Sequence, residues 1–183
     1  AIEVILASEY TNLGIDLMYG LPGQDELAWM ATLRRIVGYN PAHISCYQMT
    51  ISEGTPFHSM LRQGRIQAPG EEQERAFFLL TSAYLEENGY VHYEISNFAR
   101  DERTMSRHNI KYWRHIPYLG LGPSAHSFLK GIRWWNLRSV DGYCHALDCG
   151  KSPVEDRERL TEEQVRLESL FLGFRTREGV KRT

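Results

Sequence analysis

The strongest constraint on the fold is a rhythm between Leu13 and Ile95, where short apolar runs alternate with helix-length amphipathic ones. Leu13, Ile15 and Leu17 alternate with Gly14, Asp16 and Met18 and run into the turn Gly20-Leu21-Pro22-Gly23. That is the pattern of a strand with a loop at its C-terminal end. From Gln24 to Val37 the residues Leu27, Met30, Leu33 and Val37 fall on one helical face, and Gly38 and Pro41 supply a stop. His43–Met49 reads as a second strand and Glu71–Asn88 as a second helix, with Ala76, Phe77, Leu80, Ala83 and Tyr84 at helical spacing and Gly89 ending it. Tyr90–Ile95 reads as a third strand. Strands alternating with helices long enough to cross over predict parallel pairing and an α/β fold.

The rhythm stops after Phe98. Gly120, Gly122, Pro123 and Gly131 predict loops around one further short strand, and the charge-rich run Lys151–Arg159 reads as a solvated linker. Cys144, Ala146 and Leu147 fit one side of a short helix. Thr161-Glu162-Glu163-Gln164 fits a capping box opening a terminal helix, with Leu160 and Val165 as a hydrophobic staple and Leu167, Leu170, Phe171 and Phe174 on one face.

Charge narrows the function classes. Lys and Arg total 21 against 23 Asp and Glu, so no general attraction to nucleic acid or to an anionic membrane is expected. No apolar run approaches the ~18 residues of a membrane span, and Ala1–Tyr10 lacks the basic segment and cleavage pattern of a signal peptide. A soluble, cytoplasmic chain is expected. Three cysteines, Cys46, Cys144 and Cys149, suit a reducing compartment better than a disulfide framework.

In parallel α/β folds ligands gather at the carboxyl ends of the strands, where loops and helix N-termini converge. Three clusters fall at such ends. In the first, Asp16 stands inside an otherwise apolar strand before a glycine-rich turn, where a buried carboxylate requires donors from a ligand or from neighbouring groups. The turn has no dinucleotide or P-loop glycine pattern, so no phosphate cradle is indicated. The second is Ser45-Cys46-Tyr47-Gln48-Met49-Thr50, read as core polar groups around a buried, unreactive Cys46. The third runs through Tyr93–Ala99, Ser106–Trp113 and Gly120–Ser127, interleaving histidines, aromatics and glycines. Flat side chains with an imidazole suit a large planar ligand, and neutral histidine can ligate iron; an aromatic core with hydrogen-bonded histidines is the alternative. Cys144, His145 and Cys149 form no standard zinc pattern.

At these motifs the chain resembles a known family. Ile15-Asp16-Leu17-Met18-Tyr19-Gly20-Leu21-Pro22-Gly23-Gln24, Ile44-Ser45-Cys46-Tyr47-Gln48, Gly54-Thr55-Pro56-Phe57, Tyr93–Ala99, His108-Asn109-x-x-Tyr112-Trp113 and Gly120-x-Gly122-x-Ser124-Ala125-His126-Ser127 closely resemble the radical S-adenosylmethionine proteins of the oxygen-independent coproporphyrinogen III oxidase group. The resemblance holds from Asp16 to about Phe174. It implies an α/β fold: the C-terminal part of an incomplete (β/α)6 TIM-like barrel over residues 1–100, then a smaller region with loops, a short strand and helices over 101–183.

The oxidase branch of this group decarboxylates coproporphyrinogen III, whereas the haem chaperone branch binds haem and delivers it to apoproteins. His108-Asn109-x-x-Tyr112 is similar to the chaperone signature, which implies haem contacts from His108, Asn109 and Tyr112, with His108 the candidate iron ligand and Trp113 a wall residue. The resemblance also implies S-adenosylmethionine contacts from Asp16, Thr50 and His126, at the ends of successive barrel strands. One feature departs from the family. Its [4Fe–4S] cluster is held by a C-x-x-x-C-x-x-C loop, which cysteines at 46, 144 and 149 do not supply. The chain is therefore expected to be a C-terminal piece of a longer parent, with no radical chemistry of its own. Coproporphyrinogen oxidation by the parent, with a porphyrinogen as substrate, and a scaffold without ligands are the other readings.

Overall fold

In the computed structural model, residues 2–8, 10 and 12–180 are described, and the chain divides into two compact units, Ala1–Ser106 and Arg107–Thr183. The first unit runs α1 (Ile2–Leu6), β1 (Gly14–Tyr19), α2 (Glu26–Gly38), β2 (His43–Gln48), α3 (Pro56–Arg62), α4 (Glu71–Glu87), β3 (Val91–Glu94) and β4 (Asn97–Ala99). The sequence rhythm is thus realised, and local chemistry sets the helix starts. The Asp25 carboxylate caps α2 by accepting from Ala28 N at 2.8 Å, and the Thr55 hydroxyl caps α3 at His58 N.

The sheet order is β1-β2-β4-β3. β1 and β2 pair in parallel as expected, but β3 does not join β2. The three-residue β4 lies between them, antiparallel to both, so β3 keeps its parallel direction and loses the direct pairing. Ser96-Asn97-Phe98-Ala99, past the end of the third strand read from the sequence, turns back after Ile95 and takes the open edge of β2.

The helices cover one sheet face. Ile15, Leu17 and Tyr19 of β1, Ile44 and Cys46 of β2 and Phe98 of β4 pack there against Trp29, Leu33, Phe77 and Leu85. The helix faces are rotated from those expected. On α2 the centre is Trp29, Leu33 and Ile36, whereas Leu27 is 81% exposed. On α4 the buried line is Phe77, Thr81 and Leu85, with Ala83 exposed. A cross-helix bond decides this: Trp29 Nε1 donates to Thr81 Oγ1 at 2.8 Å, placing a polar residue at the centre of the interface.

The second unit contains α5 (Arg107–Trp113), β5 (His126–Leu129), β6 (Ile132–Asn136), α6 (Val140–Asp148), β7 (Val154–Arg159) and α7 (Glu162–Gly173). Three strands replace the single one expected, in an antiparallel sheet of order β5-β6-β7. Lys130 and Gly131, both at positive φ, make the two-residue turn between β5 and β6. Lys151–Arg159 is not a linker; most of it is β7, an edge strand exposed along its whole length. Charges on both faces erase the alternation that marks a strand and also guard the edge against pairing with another chain. The expected capping box opens α7: Thr161 Oγ1 accepts from Gln164 N, and Gln164 Oε1 accepts from Thr161 N. The inward face of α7 is Val165, Glu168 and Leu172, while Leu167, Leu170, Phe171 and Phe174 are exposed. Helix α6 forms where expected, with Cys144 and Leu147 exposed rather than packed. Residues 181–183 of the expected second region lie outside the described part.

Candidate functional site

The open sheet face of the first unit carries a polar row. Strand register sets Asp16 beside Ser45, Ser45 beside Asn97, and Asn97 beside Glu94. An irregularity between His92 and Glu94 turns Glu94 to this face, while His92 stays on the helix side, stacked on Phe98 at 4.1 Å. Asn97 Nδ2 donates to the Glu94 carboxylate, and both residues are buried. Asp16, by contrast, is exposed and has no hydrogen-bond partner among the described residues. The expectation of a buried carboxylate is corrected here: helices cover only the opposite face, so Asp16 looks outward beside Met18. Its charge still adds to the effect of burial, which pushes the Cys46 thiol up to about 12. Cys46 is thus the inert buried thiol expected of it. Thr50 is exposed just past β2.

His126 opens β5 in the antiparallel sheet of the second unit, so it does not end a successive barrel strand as expected. There it shares a face with Phe128, and with Arg133 and Trp135 on β6, and borders a cavity of about 420 Å³. Tyr112, Tyr118, Phe128 and Phe171 provide aromatic walls, and His115, Arg133 and Glu168 a charged side. The His108-Asn109-x-x-Tyr112-Trp113 signature forms α5, where i,i+4 spacing brings the His108 and Tyr112 rings to 5.0 Å. Tyr112 meets the edge of Tyr118 at 4.7 Å and lines the cavity, whereas His108, Asn109 and Trp113, the last expected as a wall residue, do not line it.

Sequence reasoning missed the groups that hold this cavity together. His115, just past α5 at φ 53°, stacks on Phe128 at 4.9 Å and bonds through Nε2 to Glu168 Oε2 at 3.0 Å. Arg133 Nη2 donates to both Glu168 oxygens, at 2.7 and 2.8 Å, and Nη1 lies 3.2 Å from Glu158. Partial burial alone would raise the Glu168 carboxyl, but the bonds and charges of Arg133 and His115 prevail and hold it below its ordinary value. A depressed folded-state value means stability present above the unfolded carboxylate range and lost as pH falls from that range through the folded-state value. The urea midpoint of the second unit is therefore expected to fall as pH drops below about 5, with a shallower fall in Glu168→Gln. Equal slopes in the two proteins would remove Glu168 from that role.

Below the cavity, glycines let a loop lie close to the sheet. Gly120 N donates to the buried Ser127 Oγ at 2.9 Å, and Asn136 Nδ2 donates to the Gly122 carbonyl at 2.9 Å. The described residues contain no group of three His, Cys, Asp or Glu able to hold a metal. Cys46 is buried in the first unit and Cys144 and Cys149 are exposed in the second, so these thiols do not fit an iron–sulfur cluster.

No protein-family model matches the chain. It is 32% identical to the heme chaperone HemW of Bacillus subtilis over 94% of its own length and 45% of that protein's. To the Synechocystis heme chaperone HemW it is 34% identical, over 98% of the chain and 44% of the relative. The chain thus spans a little under half the length of these curated relatives. Its fold matches the Escherichia coli coproporphyrinogen III oxidase HemN, described as a radical SAM enzyme, with a TM-score of 0.71 at 22% identity, over 96% of this chain and 43% of that one. That likeness gives the fold, part of a radical SAM fold.

Proposed function

This chain belongs to the HemW-type family of radical S-adenosylmethionine proteins, and from that premise we propose that it is the haem-holding portion of a haem chaperone, which passes haem to apoproteins. One observation carries the reading: the α5 signature presents Tyr112 to an aromatic cavity of about 420 Å³. Flat walls and the neighbouring imidazoles suit a porphyrin, and a neutral imidazole is an ordinary iron ligand. His108, Asn109 and Tyr112 are assigned to haem: Tyr112 lines the cavity, and His108, outside the lining with its ring 5.0 Å from that of Tyr112, is assigned as the iron ligand. Asp16 and Thr50 are assigned to S-adenosylmethionine on the open face of the first unit. We move His126 from that group to the haem cavity, because it shares the cavity's border with Tyr112.

The chain's cysteines do not fit the [4Fe–4S] cluster of the family, so no radical step is derived for it. No helix among the described residues is long and apolar enough to cross a membrane, and the cytoplasm is proposed as the place of work. Titration with haem tests the reading. The chain is expected to give a shifted Soret band, and His108→Ala to lose the ligated band and bind about tenfold more weakly. An unchanged band and affinity in His108→Ala would remove His108. No binding by the chain itself would favour a scaffold, and decarboxylated porphyrinogen from the parent under anaerobic conditions would favour an oxidase.

A further inference from the structure

The arginines of the second unit are not equally occupied. Arg133 is neutralised by Glu158 and Glu168, and Arg114 pairs with Glu178 at 2.5 Å. Arg175, two residues past α7, has no carboxylate partner among the described residues. Aromatic faces hold it instead: its Cζ lies 5.0 Å from the Trp113 ring centroid and 5.5 Å from that of Phe171. Two donors in this clamp, Arg175 Nε and Trp113 Nε1, are buried with no acceptor. A buried donor without a partner is costly, and two within one contact favour an acceptor group brought in beside the guanidinium. Arg175 and Trp113 lie outside the cavity lining, but Phe171 is shared between the clamp and the cavity wall, so a group bound at Arg175 can belong to a body that reaches out of the cavity past Phe171.

We propose that Arg175, held by Trp113 and Phe171, is the carboxylate-recognition residue of the cavity, receiving an acid side chain of a flat apolar macrocycle. The inference rests on the haem reading and deepens it. A planar guanidinium suits the acceptor because it offers parallel donors to two carboxylate oxygens, and stacking fixes its plane before the ligand arrives. Arg133 is not available for this role, because an incoming carboxylate would have to displace Glu168, which the arginine already binds through both oxygens.

The test compares haem with its dimethyl ester, which keeps the ring and iron and lacks both carboxylates. Soret titrations are run on the full chain and on Arg175→Gln and Arg175→Lys, with far-ultraviolet circular dichroism as the fold control. Arg175→Gln is expected to bind haem about tenfold more weakly or worse while binding the ester as the unaltered chain does. Arg175→Lys should recover part of the haem affinity, and it alone decides the matter if the glutamine variant does not fold. Equal haem affinity in the variants and the unaltered chain would overturn the role of Arg175 and leave the haem reading standing. An equal loss for haem and ester would also overturn it, assigning Arg175 to packing. Failure of the unaltered chain to bind either compound would overturn both readings.

Discussion

Replacing Gly120 with alanine is expected to destabilise the second unit by about 3 kcal/mol or more and to abolish the cavity with it. A Cβ at this position would stand 2.2 Å from the His126 carbonyl oxygen and 2.9 Å from its carbon. Both are backbone atoms at the start of β5, where His126 pairs with Trp135 and cannot swing aside as a flexible side chain would. The loop must therefore lift. Doing so strips the Gly120 N–H from the fully buried Ser127 hydroxyl and pulls on Asn136, whose amide is held by the Gly122 carbonyl. Gly131 is the internal control. It sits at φ 72° in the hairpin turn, but a Cβ there meets nothing within 4 Å, so Gly131→Ala carries only the backbone cost of about 1–2 kcal/mol. Urea unfolding followed by tryptophan fluorescence reads the difference, since Trp113, Trp134 and Trp135 lie in this unit. Equal midpoints for the two variants would show that the loop does not depend on the close approach.

Gly120 also illustrates what a sequence can and cannot disclose. Its glycine-rich surroundings announce a loop, yet which atom forbids a side chain is settled only when the loop folds onto β5. Local signals were legible: the Thr161–Gln164 box and the Gly89 stop follow from chemistry within a few residues, and the parallel pair β1 and β2 from the helix-length crossover between them. Strand β7 was not, because charges on both of its faces leave no periodicity, and neither was β4, three residues long and defined by its partners. Asp16 looked buried because its neighbours in sequence are apolar, and it is exposed because the helices pack on the other face. The cavity was half legible. Tyr112 and His126 stand in conspicuous motifs, whereas Arg133 and Glu168 are 35 residues apart and His115 and Glu168 are 53 apart, and no local pattern connects them. Arg175 carries no sequence signal of its own, since its distinction is the lack of a counter-charge.

Trp29→Ala is expected to cost the first unit about 3–5 kcal/mol, a large share of the ~5–15 kcal/mol that holds an ordinary domain together. The indole is fully buried on the inward face of α2 and its ring centroid lies 5.4 Å from that of Tyr19, which in turn lies 5.9 Å from that of Phe77. Truncation therefore opens a void between helices and sheet lined by rigid aromatic rings, which collapse poorly into it. The hydrogen bond to Thr81 is the lesser part of the loss. Thr81 Oγ1 still donates to the Phe77 carbonyl at 2.6 Å, so removing the indole leaves its hydroxyl short of a donor but not orphaned. Trp29→Phe separates the two contributions, keeping most of the ring and losing the bond, and should cost about 1–2 kcal/mol. Combining it with Thr81→Val, which removes the polar group altogether, should cost less than the sum of the two single changes, because the residues share one interaction. Thermal unfolding by circular dichroism resolves these steps, with a drop of roughly 12 °C or more expected for Trp29→Ala. A drop no larger than that of Trp29→Phe would mean that the core closes around the missing indole, and that α2 is held to the sheet mainly by Leu33 and Ile36.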